Sequence, residues 1–267
     1  MSSTFAGVTA VGLAMLAAGR STWSAAGAGV VLALGIFLSY GLVLIGILAL
    51  AIVVLSRRWS LLPWTVAGAA VVVVAFTASG FWWLDGYFLV KERYYAGLGG
   101  DRPYAYWVWA NLAALALCAG PASAAIVHRA ARALTGHRAA AARPDAAQAP
   151  GTALRGRTAG LRGATASSIT AADRRVVIAA RARWAAAAVI RHPAAPARVV
   201  LPLAALTAIL IADLSGLSKA ETERIWLPFA VWLPAGTALL ATGDRRGWLA
   251  VQAGTALLVN HLLLTSW

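Results

Sequence analysis

Long stretches without a single charge decide what this chain can fold into. Between about residues 61 and 84 there is no Asp, Glu, Lys or Arg, and comparable apolar stretches recur at about 4–19, 26–55, 104–127, 199–213, 225–241 and 247–264. A helix needs roughly 17–25 such residues to cross a hydrocarbon core about 30 Å thick. A closed β-barrel is the other way to satisfy every backbone group in lipid, but its strands alternate apolar and polar residues over short segments. This chain shows unbroken Ala/Val/Leu runs instead. The expected fold class is therefore all-α: a polytopic transmembrane helical bundle of about seven spans. The first and fifth stretches are short. The second, about 26–55, exceeds one crossing, so it is expected to tilt, to bend near Gly35, Gly41 or Gly46, or to protrude, without room for two spans.

Composition agrees. The chain is 61% hydrophobic and 12% charged, with a mean hydropathy of +0.74, whereas a soluble domain is nearer half apolar and about a quarter charged. The basic residues are distributed unevenly. Alternate gaps between the apolar stretches hold Arg57 and Arg58, the thirteen arginines from Arg129 to Arg198, and Arg245 with Arg246, which is 17 of the 23 Lys and Arg. The other gaps hold Arg20, Lys91, Arg93, Arg102, Lys219 and Arg224, together with most of the acids: Asp85, Glu92, Asp101, Asp213, Glu221 and Glu223. Basic loops stay in the cytoplasm. An odd number of spans then places the N-terminus inside and the C-terminus outside. The same asymmetry explains a net charge of +14 without nucleic acid as a partner. The chain lacks the basic start of a signal peptide. Its single cysteine, Cys118, excludes an intrachain disulfide.

Three regions follow. Residues 1–127 hold spans one to four, with an outer loop at 85–103. Residues 128–198 form a basic cytoplasmic loop. Its first part is rich in Ala, Arg, Gly, Thr and Pro and reads as a linker. Its second part, Asp173 to Arg191, reads either as an interfacial helix on anionic lipid or as a solvated basic loop. Residues 199–267 hold spans five to seven, with an outer loop at 214–224. Tryptophans crowd the ends of the apolar stretches, as interfacial anchors do.

The two outer loops hold the candidate chemistry. In the first, Tyr94 and Tyr95 stand among Asp85, Arg93, Asp101 and Arg102; an aromatic ring with a polar tip suits either a headgroup layer or a sugar face. In the second, Ser218 and Glu221 have the spacing of a capping box, and Lys219 and Glu223 stand i,i+4 for pairing across one helical turn. Asp85, Asn111, Asp213, Asn260 and His261 all fall in the outer part of a span, where ionisable groups are costly and often functional; together they are candidates to line an outward cavity. Gln252 is the polar exception in an inner half. There is no phosphate-binding GxxxxGK[ST] loop, no HExxH and no His/Cys ligand cluster.

The segments GYFLVKERYYAGLGGDRPYAYWVWANLAALALCAGP, Gly86 to Pro121, and DLSGLSKAETERIWLPFAVWL, Asp213 to Leu233, resemble paired stretches in polytopic membrane proteins of high-GC actinobacteria that are similar to GT-C-class glycosyltransferases. The resemblance covers well under half of the chain. It implies an active face outside the cytoplasm, a polyprenyl-phosphate-linked sugar donor within the membrane lipid, and a cell-envelope glycan or lipid as acceptor. It also implies an outer acid (Asp85, Asp101, Glu221 or Glu223) as general base or as ligand of a divalent metal ion. Outer basic residues (Arg93, Arg102, Lys219 or Arg224) would meet the donor phosphate, with Tyr94, Tyr95, Asn111, Asp213 and His261 beside the substrate. One departure stands out: such enzymes carry an acid in the first outer loop, and the stretch from Arg20 to Ser24 has none. Either the chain lacks the N-terminal part of a longer family member or it is not catalytic. A transporter or flippase using the outer cavity, and a non-catalytic scaffold, are the competing readings.

Overall fold

In the computed structural model, residues 2–141, 195–220 and 225–262 are described; among them the chain is helical throughout, with no strand. Glu221, Glu223, Arg224 and the Asp173–Arg191 segment lie outside the described residues.

Helices α1 (Ser2–Ala18) and α2 (Thr22–Leu38) form an antiparallel pair. Ser21 caps α2 by accepting a bond from the Ser24 N–H at 3.1 Å, a standard use of a serine hydroxyl. The register of the pair is fixed by glycines: Gly12 packs on Leu32, Gly27 on Met15, and Gly35 faces Thr9.

The chain then departs from expectation. Ser39 is extended (φ −154°, ψ 118°) and ends α2. A 3₁₀ turn, Tyr40–Leu44, reverses the direction, and α3 (Ile45–Ser56) runs back alongside α1. Arg58 closes this arrangement: its Nη1 donates to the Gly19 carbonyl at 2.6 Å and to that of Ala17 at 3.3 Å. The single long span expected at 26–55 is thus two short antiparallel helices. Arg20, expected on the side opposite Arg57 and Arg58, follows a residue that Arg58 holds by its carbonyl.

Helix α4 (Leu62–Ala78) packs on α2 with almost no separation. A methyl group at Gly68 would collide with the Ala26 carbonyl, and one at Gly29 with the Thr65 carbonyl. Close approach of backbones through small residues is how helices associate in lipid, where tails offer no hydrophobic drive. Gly68 and Val72 are buried in α4, whereas Val66, Val71 and Val74 stay exposed.

Helices α5 (Trp83–Ala96) and α6 (Leu98–Asp101) occupy the expected outer loop. Helix α7 (Tyr104–Ala119) ends at Gly120, whose φ of +74° favours glycine. The chain then bends by 101° into α8 (Pro121–Ala141). The fourth expected span, about 104–127, is therefore broken at residue 120. Gln252 bridges that break: its Nε2 donates to the Ala119 carbonyl at 3.0 Å and its Oε1 accepts the Ala122 N–H at 3.3 Å. Backbone groups freed inside a membrane need such a partner, which accounts for a glutamine in an otherwise apolar stretch.

Helix α9 (Ala195–Leu214) carries Pro202 within it. A proline forfeits the bond to the carbonyl four residues back, here Arg198. Gly236 packs closely against that carbonyl: a methyl group added there would strike both it and Ile126 of α8. The expected sixth span is short and irregular: α10 (Leu227–Ala230) and then a 3₁₀ segment, Leu233–Leu239. Helix α11 (Arg245–Leu262) follows. The core joins α1, α3, α9 and α10 through Leu13, Leu48, Ile209, Trp226 and Phe229.

Among the described residues, two helices are long and apolar enough to cross a membrane, Trp59–Ala78 and Pro196–Leu214, and three when the bent pair α7–α8 counts as one span. The other apolar helices are shorter: Ser3–Ala18, Thr22–Leu38, Tyr40–Ser56 and Leu227–Leu239.

Apart from the Arg20 turn, which lies with Arg58, the two classes of loop gather at opposite ends of this bundle. At the basic end, Arg58 holds the end of α1, and Arg129 of α8 bonds the Leu239 carbonyl and pairs with Asp244 at 3.3 Å. At the other end, Trp83 donates to the Ile36 carbonyl at 3.1 Å and stacks near Tyr40 and Tyr87.

Candidate functional site

The second end of the bundle is fastened by a cluster of buried polar groups drawn from segments more than a hundred residues apart. Its hub is Asn111 on α7, which is 3% exposed. Its Nδ2 donates to Asp213 Oδ1 at 2.9 Å and to the Ser218 carbonyl at 2.8 Å, while its Oδ1 accepts the Ala220 N–H at 3.3 Å. Three of the four bonds an asparagine amide can make are filled.

Lys219 is the second hub, 7% exposed. Its Nζ donates to the carbonyls of Gly99 (2.9 Å) and Arg102 (3.0 Å) and lies 5.0 Å above the Tyr95 ring. Its backbone N–H donates to Tyr94 Oη at 2.9 Å, and its carbonyl accepts Arg102 Nη1 at 2.6 Å. Arg102 in turn lies 5.2 Å from the Trp107 ring centre. A buried ammonium is tolerated only when its donors are met; here two carbonyls and an aromatic face meet them. Tyr95 Oη donates to the Gly216 carbonyl at 3.4 Å and Tyr104 Oη to that of Leu214 at 3.0 Å. Both cross from the first outer segment to the second.

Local conformation shows that Ser218 does not cap a helix starting at Lys219; residues 221–224, where the expected helix would continue, lie outside the described residues. Ala220 has a φ of +68°, and Lys219 lies outside any helix. The Ser218 hydroxyl, expected as an N-cap, instead donates to the Ala212 carbonyl at 3.1 Å and accepts Trp226 Nε1 at 3.4 Å. The Lys219 ammonium bonds the Gly99 and Arg102 carbonyls; Glu223, its expected i,i+4 partner, lies outside the described residues.

The structure therefore brings together six of the candidates: Tyr94, Tyr95, Arg102, Asn111, Asp213 and Lys219. Asp85 in the first turn of α5, Arg93 in its last turn, and Asp101 at the end of α6 are exposed on the same outer segment, without an ion pair among the described residues. His261 is exposed on α11, its Nδ1 3.1 Å from the Leu257 carbonyl of its own helix. Among the described residues no hydrogen bond joins Asp85 or His261 to Asn111 or Asp213. Among the described residues no three His, Cys, Asp or Glu side chains gather as metal ligands; no metal-dependent step is built on them.

Sequence reasoning missed Tyr40, which supports α5 from the α2–α3 turn; its partners lie elsewhere in the chain. Trp226, one of the tryptophans read as interfacial anchors, is instead buried behind Ser218, 1% exposed. Compared with known protein families, curated proteins and solved structures, the chain matches none.

Proposed function

We propose that this is an integral membrane protein whose basic end faces the cytoplasm and whose clasped end works outside it, on a lipid-phosphate-linked sugar, as a GT-C-like glycosyltransferase or the remnant of one. In this reading the 26–55 stretch crosses twice. The passes then number eight rather than seven, and both ends of the described chain lie outside. Ser3–Ala18, Thr22–Leu38 and Tyr40–Ser56 sit near the lower limit for a crossing, and Leu227–Leu239 is shorter than it.

The observation that carries the proposal is the clasp. It fixes the two outer segments that bear the resemblance onto each other, and it leaves Asp85 and Asp101 exposed on that platform. A general base needs such a carboxylate within reach of substrate, whereas Asp213 is buried against Asn111. The roles suggested for Glu221, Glu223 and Arg224 belong to the same proposal. The test is substitution in cells: Asp85→Asn, Asp101→Asn, Glu221→Gln and Glu223→Gln, one at a time, with envelope glycans profiled at matched protein levels. At least one should abolish a product. Unchanged glycans in all four would remove the catalytic reading.

A second reading, a non-catalytic membrane scaffold, is favoured by one feature: Asn111, Arg102 and Lys219 all direct their polar groups to partners within the chain. It predicts that those four substitutions are silent while loss of the clasp is not.

A further inference from the structure

At the basic end, α1, α3 and the start of α9 leave between them an open cleft of about 410 Å³, within the size range of about 300–1,000 Å³ for small-molecule sites. Its walls include Leu13, Ala17, Ile52, Leu55, Leu201 and Trp232. Ser56 is the hydroxyl among its lining residues, and that group is already bonded to the Val53 carbonyl at 3.2 Å. The wall also includes Trp232, whose Nε1–H is buried with no hydrogen-bond partner among the described residues; otherwise the interior offers an occupant shape and apolar surface.

The rim differs sharply. Ala17, Ser56 and Pro196 bring the cleft to the ends of three helices, where the chain next supplies Arg20, Arg57, Arg58 and Arg198. Arg58 is occupied with the Ala17 and Gly19 carbonyls. Arg57 is exposed in a left-handed conformation (φ 54°), with no hydrogen-bond or ion-pair partner among the described residues. An apolar slot ending in arginines at a membrane-facing helix end matches one ligand chemistry: a hydrocarbon chain with an anionic head.

We infer that this cleft seats one acyl chain of an anionic phospholipid, with the headgroup phosphate held by the arginines at its mouth, Arg57 foremost. The site lies at the end of the bundle away from the clasp, so it stands apart from the glycosyltransferase reading and does not depend on it.

The experiment is native mass spectrometry of the full chain purified in detergent. It is supplied in turn with phosphatidylglycerol and phosphatidylcholine of identical acyl chains. One phosphatidylglycerol should be retained per chain, well above phosphatidylcholine. Ala17→Trp fills the mouth from an exposed position and should lower retention by about tenfold, a shift of roughly 1.4 kcal/mol. Ala14→Trp, from another exposed wall position, repeats the test should the first variant fail to fold by circular dichroism. Arg57→Gln should bring phosphatidylglycerol down toward the phosphatidylcholine level. Equal retention of the two lipids by the unaltered chain, or undiminished retention when a folded variant fills the cleft, would overturn the inference.

Discussion

The two ends of the bundle are built on different principles. At the clasped end, side chains from α5–α7 reach the 213–220 segment through directional bonds to buried groups. At the basic end, arginines sit on helix termini and on carbonyls, and the ion pair Arg129–Asp244 is exposed, its two side chains 39% and 55% accessible. Both ends are rich in charge, yet only at the clasped end are the charges buried. Removing a partner there strands a desolvated group, whereas water can replace one at the basic end. Counting charges along the sequence separates the two ends but says nothing of this difference.

The largest effect should come from the clasp. Lys219→Met removes the ammonium from two carbonyls, and Asn111→Leu strands Asp213, the Ser218 carbonyl and the Ala220 N–H. Stranding the buried Asp213 should destabilise the protein by about 3–5 kcal/mol, and leaving the Gly99 and Arg102 carbonyls without their donor by about 1–3 kcal/mol. Thermal unfolding in detergent measures it; a change no larger than that of a surface substitution would erase the contrast between the two ends.

Next comes the glycine contact between α2 and α4, which belongs to neither end. Gly68→Leu forces the Ala26 backbone away and should cost about 1–3 kcal/mol or more through overpacking, read as a lowered unfolding temperature. Gln252→Leu should cost a similar 1–3 kcal/mol, because it leaves Ala119 O and Ala122 N at the 120 break without their partner. Gln252→Glu keeps an acceptor for Ala122 and loses the donor to Ala119, so the two substitutions together apportion the clip.

The smallest effect is expected at the basic end. A double-mutant cycle over Arg129→Ala and Asp244→Ala should give a coupling of about 0.2–1 kcal/mol, as exposed pairs do, and it should shrink with added salt. A coupling of several kcal/mol would mean that this end, too, is clasped.

How much of this could be read from the sequence depends on the kind of signal. The segregation of arginines was legible because it is a property of composition over whole loops. The hairpin at Ser39 was not: hydropathy from 26 to 55 is equally high for one bent helix and for two antiparallel ones. The deciding feature is a single extended serine, Ser39, between Leu38 and Tyr40. Asn111 and Asp213 drew attention as polar groups at one depth, and they do meet. Asp85 and His261 drew the same attention, and no hydrogen bond among the described residues joins them to that pair. Ser218 has the spacing of a cap, but the left-handed Ala220 and the nearby Trp226 redirect it. Gln252 looked anomalous until the break at Gly120 supplied groups for it to bond.

The central claim is that the arginine-rich end and the clasped end lie on opposite sides of a membrane, with residues 26–55 crossing twice. Single cysteines at the exposed positions Ser3, Arg20, Glu92 and Arg132, in a Cys118→Ser background, can be probed with an impermeant thiol reagent on intact cells. The account predicts labelling of Ser3→Cys and Glu92→Cys, and of Arg20→Cys and Arg132→Cys only after permeabilisation. Labelling of Arg20→Cys on intact cells, with Ser3→Cys silent, would contradict the double crossing; labelling of Arg132→Cys with Glu92→Cys silent would contradict the orientation itself.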